Sequence, residues 1–302
     1  MATGFGCMVV GPAGSGKSTF CQVLQESGES HKRLYKVCNL DPAAEVFKYK
    51  CDIDIRDLIS LDDVQEELKF GPNGGLVYCM EYLIENVEWL LDELQEFAED
   101  SFVLFDCPGQ IELYSHLDVM QRLAKAISRS GFLLCAAYCA DGTFIDEPSK
   151  YISACFTALS TMTQLGIPHL NILTKCDKLK QARAQTGGAG DAMDEDQEED
   201  RNEALIDQIV TMGTKDCLQN VNQFFSPKYF ELNKRIVEVI ENFNLVQYIP
   251  LNIQDEDSVD SIITQMDLLV QYDEYRMPKE GNMPDNQEQM DGAGGEDDDG
   301  DY

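Results

Sequence analysis

Basic residues are scarce in this chain: 23 Lys and Arg stand against 55 Asp and Glu, leaving a formal charge of −32 over 302 residues. Phosphate backbones and anionic lipids are bound by clustered cations, so neither direct nucleic-acid binding nor membrane association is expected. No run of eighteen apolar residues occurs, which excludes a spanning helix, and "MATGFGCMVVGPAG" is too short an apolar run for a signal peptide. Histidine is limited to His31, His116 and His169, and the eleven cysteines include no CxxC pair, so zinc chemistry is not expected. An odd cysteine count, with Cys7, Cys38, Cys135 and Cys139 inside apolar runs, fits reduced buried thiols and a cytoplasmic setting.

The negative charge is unevenly spread. Residues 191–203 hold eight acids against Arg201, net −7, and residues 273–302 hold eleven against Arg276 and Lys279, net −9. These two stretches carry half of the total. Both are rich in Gly, Gln, Asp and Glu without an apolar period, so a disordered acidic insert is expected at about 181–203 and a disordered acidic tail over 273–302. The chain as a whole is 43% hydrophobic, and residues 1–272 are long enough for one substantial core.

Within it, apolar runs of four to eight residues alternate with helical patterns, the mark of an α/β fold with a mostly parallel sheet flanked by helices. Strands are expected at Phe5–Val10, Tyr35–Asn39, Phe102–Phe105, Phe132–Tyr138, Leu170–Leu173 and Val246–Ile249. A long striped helix is expected from Leu76 to Phe97, preceded by a Gly-Pro-Asn-Gly-Gly turn in which Gly74 and Gly75 tolerate positive φ. Helical segments at Glu203–Phe224 and Tyr229–Phe243 read as a helical lid over about 203–243, and a last helix carries Val259, Ile262, Ile263, Met266, Leu269 and Val270.

"GPAGSGKST" follows the first strand and opens a helix, matching the phosphate-binding loop GxxxxGK[ST] of P-loop nucleotidases. Gly11, Pro12, Ala13, Gly14, Ser15 and Gly16 present backbone N–H groups to polyphosphate oxygens at a helix N-terminus. Lys17 bridges the β and γ phosphates, Ser18 ligates Mg²⁺, and Thr19 reaches the α-phosphate. "ILTKCDKL" supplies a purine reader in Thr174, Lys175 and Asp177. A carboxylate accepts from both N1–H and N2–H₂ of guanine, whereas adenine offers it a lone pair at N1 and no amino group at C2. Asp177 therefore favours GTP and GDP, with Lys175 along the base; "IPLNIQDEDS", with Leu251 and Asn252, is positioned for a further guanine contact, but the sequence does not identify the residues that make it.

"FVLFDCPGQIEL" ends a strand with an acid. Asp106 there can hold a water of the Mg²⁺ shell, the Gly109 N–H can meet the γ-phosphate, and Gln110 and Glu112 can orient the attacking water. Asp41 of "NLDPAAE" either caps the next turn or approaches the nucleotide opposite Asp106 to position water or Mg²⁺.

Taken together, "GPAGSGKST", "NLDPAAE", "FGPNGG", "DCPGQIEL" and "TKCD" resemble, in order and spacing, the GPN-loop GTPases. "DPAAE" and "FGPNGGLVYCMEY" are most similar to the third of that family's eukaryotic branches. The resemblance spans about residues 5–272, the acidic insert excepted. It implies a slow, nucleotide-gated dimeric GTPase in which Gly71, Pro72 and Asn73 cross the dimer interface toward the partner's phosphates. It also implies a paralogous GPN-loop GTPase or a second copy as partner. Further implied are a role in RNA polymerase II assembly and nuclear import, contact with polymerase subunits, and shuttling from cytoplasm to nucleus. Two other classes remain open on the residues: a nucleotide-held assembly scaffold whose hydrolysis is dispensable, and a P-loop nucleotide or nucleic-acid kinase.

Overall fold

The computed structural model describes residues 4–28, 30, 33–97, 101–146, 148–176, 227–243, 247–272 and 274. The acidic insert, the first lid helix, nearly all of the tail and Asp177 lie outside them. Seven strands form one parallel sheet in the order β3-β2-β4-β1-β5-β6-β7. They are β1 (Gly4–Val10), β2 (Leu34–Asn39), β3 (Cys51–Asp54), β4 (Ser101–Asp106), β5 (Phe132–Asp141), β6 (His169–Thr174) and β7 (Tyr248–Pro250).

Helices cover both faces, which is why the central strands read as nearly continuous apolar runs. On β1, Cys7 and Val9 pack with Phe20, Cys21 and Leu24 of α1 (Lys17–Ser27) and with Ile262 and Met266 of α9 (Glu256–Val270). Met8 and Val10 point the other way, toward α3 (Pro72–Glu85), α4 (Val87–Gln95), α6 (Val119–Arg129) and α7 (Pro148–Leu165). Three shorter or peripheral helices complete the described residues: α2 (Leu61–Leu68), α5 (Glu112–Ser115) and α8 (Phe230–Phe243). None of the described helices is long and apolar enough to cross a membrane.

Three local expectations need correction. Gly71-Pro72-Asn73-Gly74-Gly75 is not a turn before the helix but its first turn, with Gly71 as N-cap and Pro72 at N1. Neither Gly74 nor Gly75 takes a positive φ; Gly75 is buried against α2, where a Cβ would lie 2.8 Å from Leu61 Cδ1, a side-chain end that can yield. The single helix expected from Leu76 to Phe97 is two, because the Asn86 backbone (φ −113°, ψ 32°) leaves the helical region between α3 and α4, its side-chain amide donating to the Tyr82 carbonyl. Strand β3, Cys51-Asp52-Ile53-Asp54, was not expected at all: its acids suggest a loop, yet Asp52 accepts from Lys36 Nζ (2.9 Å) and the Val37 N–H (3.1 Å) of the neighbouring strand.

One ion pair ties the chain's two ends. Arg33, just before β2, makes a bidentate pair with Asp267 of α9 at 2.7 and 2.8 Å, and its guanidinium carbon lies 3.9 Å from the Tyr272 ring centroid. The Arg33 side chain is 9% exposed, so removing its partner strands a desolvated charge. Asp267→Ala is expected to destabilise the fold by about 3 kcal/mol, read as a lowered urea midpoint at unchanged m value.

Candidate functional site

All strands being parallel, their carboxyl ends line one edge of the sheet, and the strand order reverses around β1, where α/β folds bind ligands. The phosphate loop leaves β1 there. Gly11, Gly14 and Gly16 have φ of 139°, 74° and 94°, conformations that side-chain-bearing residues resist. A Cβ on Gly11 would also collide with the Cys139 carbonyl oxygen of β5. Lys17 is buried and its ammonium donates to the carbonyls of Gly11 (3.1 Å) and Pro12 (3.0 Å), folding back over its own loop. Ser15 Oγ is buried without a partner among the described residues. Gly14 has nothing within 4 Å of a built Cβ, so that stretch of the loop is open.

Two acids face Lys17 from neighbouring strands. Asp106, at the end of β4, is 3% exposed. Burial raises its pKa above the ordinary carboxylate value, against hydrogen bonds from the Ser18 and Tyr49 hydroxyls and the charge of Lys17. Asp41 is likewise raised by burial, opposed by the Ala43 N–H and by Lys17. Its place is set by Asn39, whose Oδ1 accepts from the Asp41 N–H (3.0 Å) and whose Nδ2 donates to the Asp41 carbonyl (3.1 Å) and to Asp54 (2.9 Å). Ser18 and Asp106, the expected Mg²⁺ residues, thus sit together beside the lysine, a donor set that suits a hard cation.

The segment after β4 lies against the phosphate loop. A Cβ on Gly109 would come 2.7 Å from Ala13 Cα and 2.9 Å from its nitrogen, so the two backbones touch only because residue 109 is glycine. Gln110 follows with its Oε1 buried and unpartnered among the described residues. Glu112 is exposed in the first turn of α5.

From the other side, the Thr174-Lys175 loop is bonded to the phosphate loop directly. Thr174 Oγ1 lies 2.6 Å from the Ser15 carbonyl and 2.9 Å from that of Ala140, one proton shared between two acceptors. Lys175 Nζ donates to the Gly14 carbonyl and to Asp141 Oδ2 at 2.7 Å. Lys175 itself has φ of 57°, a left-handed conformation costing roughly 1 kcal/mol, and its amine contacts hold it there. Burial would raise the Asp141 pKa, but Lys175 and the Thr143 donors hold it below the ordinary value. Of the guanine-side expectations, Leu251 is 2% exposed and gives its N–H to the Leu173 carbonyl, so it belongs to the core. Asn252 Oδ1 accepts from the Gln254 N–H in the turn leading to α9.

Gly71, Pro72 and Asn73 stand apart from this edge cluster. All three are exposed at the start of α3, beside an aromatic run in which Phe70 and Tyr78 have ring centroids 5.6 Å apart, and Tyr78 and Tyr82 6.4 Å. Two members of the edge cluster were not foreseen. Asp141 could have been found by the strand-end reasoning that found Asp106, since it closes "FLLCAAYCAD". Tyr49, which reaches Asp106 from a loop 57 positions away, gives no local signal.

A protein-family profile described as "Conserved hypothetical ATP binding protein" matches residues 9–272. Among curated relatives, proteins named GPN-loop GTPase 3 are 41% identical in Dictyostelium discoideum over 90% of this chain and 89% of theirs. The Saccharomyces cerevisiae protein of that name is 40% identical over 92% and 96%. A solved GTPase in apo form from Pyrococcus abyssi superposes with a TM-score of 0.65 at 21% identity, covering 92% of this chain and all of that one, a likeness of fold. The profile's description names ATP and the relatives' names specify GTP, a difference that turns on the base-reading residues. The extent of the profile match and the identity to these relatives establish that the chain belongs to the GPN-loop GTPase family.

Proposed function

We propose that this chain binds GTP with Mg²⁺ along the carboxyl edge of its sheet and hydrolyses it slowly, the bound state acting as a switch. The observation that carries the reading is the bonding of Thr174 and Lys175 to the carbonyls of Ser15 and Gly14. The bonding fixes Thr174 and Lys175 against the phosphate loop, and the residue two positions beyond Lys175 in the sequence is the proposed base reader. That residue is Asp177, whose carboxylate accepts both N–H groups of guanine's edge and repels adenine's lone pair.

On binding, the Lys17 ammonium exchanges two neutral carbonyls for anionic phosphate oxygens, a gain in charge-assisted bonding. Ser18 and Asp106 would hold the Mg²⁺, which would supply neutralisation of charge on the phosphate oxygens. Gln110 Oε1, an orphaned buried acceptor, takes a hydrogen bond from the attacking water. Asp41 and Glu112 flank that water, and the Gly109 N–H meets the γ-phosphate.

The exposed tip at Gly71, Pro72 and Asn73 extends the reading to a dimer. Pro72 fixes the first turn and Gly75 packs it on α2, so the Asn73 amide is carried rigidly outward toward a paralogous GPN-loop GTPase or a second copy. Family membership extends it further, to assembly and nuclear import of RNA polymerase II, with passage between cytoplasm and nucleus.

Asp177→Asn is expected to weaken GTP binding by roughly 100-fold, the scale of two charge-assisted hydrogen bonds, and to favour xanthosine nucleotides; fluorescence titration measures both, and unaltered GTP affinity sinks the guanine reading. Gly109→Ala forces the loop off Ala13 and is expected to lower kcat for GTP by roughly 10- to 100-fold, followed by phosphate release. Asn73→Ala is expected to weaken GTP-dependent association with the paralogue, followed by analytical ultracentrifugation; association of wild-type strength counts against the crossing tip.

A further inference from the structure

One of the two oxygens of Asp106 is already taken. The Tyr49 hydroxyl donates to Oδ2 at 2.9 Å, and both residues are buried. Neither phosphate-loop nor base-reading chemistry calls for a tyrosine here, yet the surrounding contacts all aim it. Gln25, on the helix that the phosphate loop opens, grips the backbone of Lys50: its Oε1 accepts from the N–H at 2.7 Å and its Nε2 donates to the carbonyl at 3.0 Å. The Tyr49 ring stacks on Phe47, with centroids 5.2 Å apart and planes at 25°. Phe47 in turn carries the Arg56 guanidinium 4.6 Å from its centroid. Arg56 donates to the Ala44 carbonyl at 2.8 Å and is held by Asp54 at 2.6 Å.

We propose that Tyr49 is a positioning residue of the Mg²⁺ site, its hydroxyl fixing Asp106 so that the other carboxylate oxygen is free for the metal's water. The inference deepens the proposed function and rests on Asp106 being the acid of the Mg²⁺ shell. Its logic is one of donors. A buried carboxylate is costly unless hydrogen-bonded, and the donors that oppose its burial are the hydroxyls of Ser18 and Tyr49. Ser18 would present a lone pair to the metal while its O–H stays available to Asp106, but Ser18 is exposed whereas Tyr49 is buried and has no second task. Tyr49 is the buried donor dedicated to that acid, its hydroxyl 2.9 Å from Oδ2 and its ring held on Phe47.

The test measures binding of a fluorescent GDP to the full chain in Mg²⁺ and in EDTA, for the wild type, Tyr49→Phe, Asp106→Asn and the double variant. Tyr49→Phe keeps the ring on Phe47 and deletes the oxygen alone. It is expected to reduce the Mg²⁺-dependent tightening roughly tenfold, the worth of one hydrogen bond to a charged group, with EDTA affinity unchanged. In the Asp106→Asn background it is expected to cost nothing further, because it acts through that acid. Wild-type tightening in Tyr49→Phe, an equal loss in EDTA, or additive losses in the double variant each overturn the positioning role while leaving Asp106 in place. If Asp106→Asn alone retains full tightening, the metal-site reading fails and the proposal falls with it.

Discussion

Two loops that must grip opposite ends of one ligand are worth little unless they are fixed to each other. In this protein the joint is a hydroxyl and an ammonium: Thr174 on the Ser15 carbonyl and Lys175 on the Gly14 carbonyl. Both acceptors are backbone groups of a glycine-rich loop whose left-handed residues turn N–H groups inward and carbonyls outward. The outward carbonyls need donors, and a threonine and a lysine from the next strand but one supply them. The Thr174-Lys175 loop is thereby fixed to the glycine-rich loop by the protein's own bonds, which is the economy of a preorganised site.

The electrostatic arrangement follows the same plan. Two acids, Asp41 and Asp106, are raised by burial and face a single ammonium, that of Lys17, in a chain whose overall charge is strongly negative. Lys17 is committed to its own loop's carbonyls rather than to either acid. An ion pair at that point would have to be broken at every binding event, whereas bonds to neutral carbonyls are cheaper to exchange for phosphate. The acids are instead stabilised by hydroxyls and amides, with Tyr49, Ser18 and Asn39 as the donors or scaffolds.

What the sequence made legible was chemistry with few alternative solutions. Glycines before Lys17 and Ser18, and an acid ending a buried strand at Asp106, are demanded by phosphate and metal, and they stand where expected on one sheet edge. Six of the seven strands were legible because both faces of each are covered. The seventh, β3, was hidden because Asp52 and Asp54 find partners in Lys36, Asn39 and Arg56 instead of water. The break at Asn86 was hidden because the apolar period runs straight through it, and the helical Gly74 and Gly75 because propensity opposes them by about 1 kcal/mol each. Tyr49 could not be read at all, since only the fold brings it to Asp106. Asp177, the residue expected to read the base, lies outside the described residues.

The grip of Arg33 on Asp267 and Tyr272 has a geometric corollary. Arg33 precedes β2, so it marks the amino rim of the sheet, whereas Asn39 and the phosphate loop mark the carboxyl rim. One strand length, roughly 20 Å at the usual rise, separates the two. Tyr272, with its ring packed on Phe5 and under the Arg33 guanidinium, therefore sits at the amino rim, across the sheet from the rim that carries the phosphate loop.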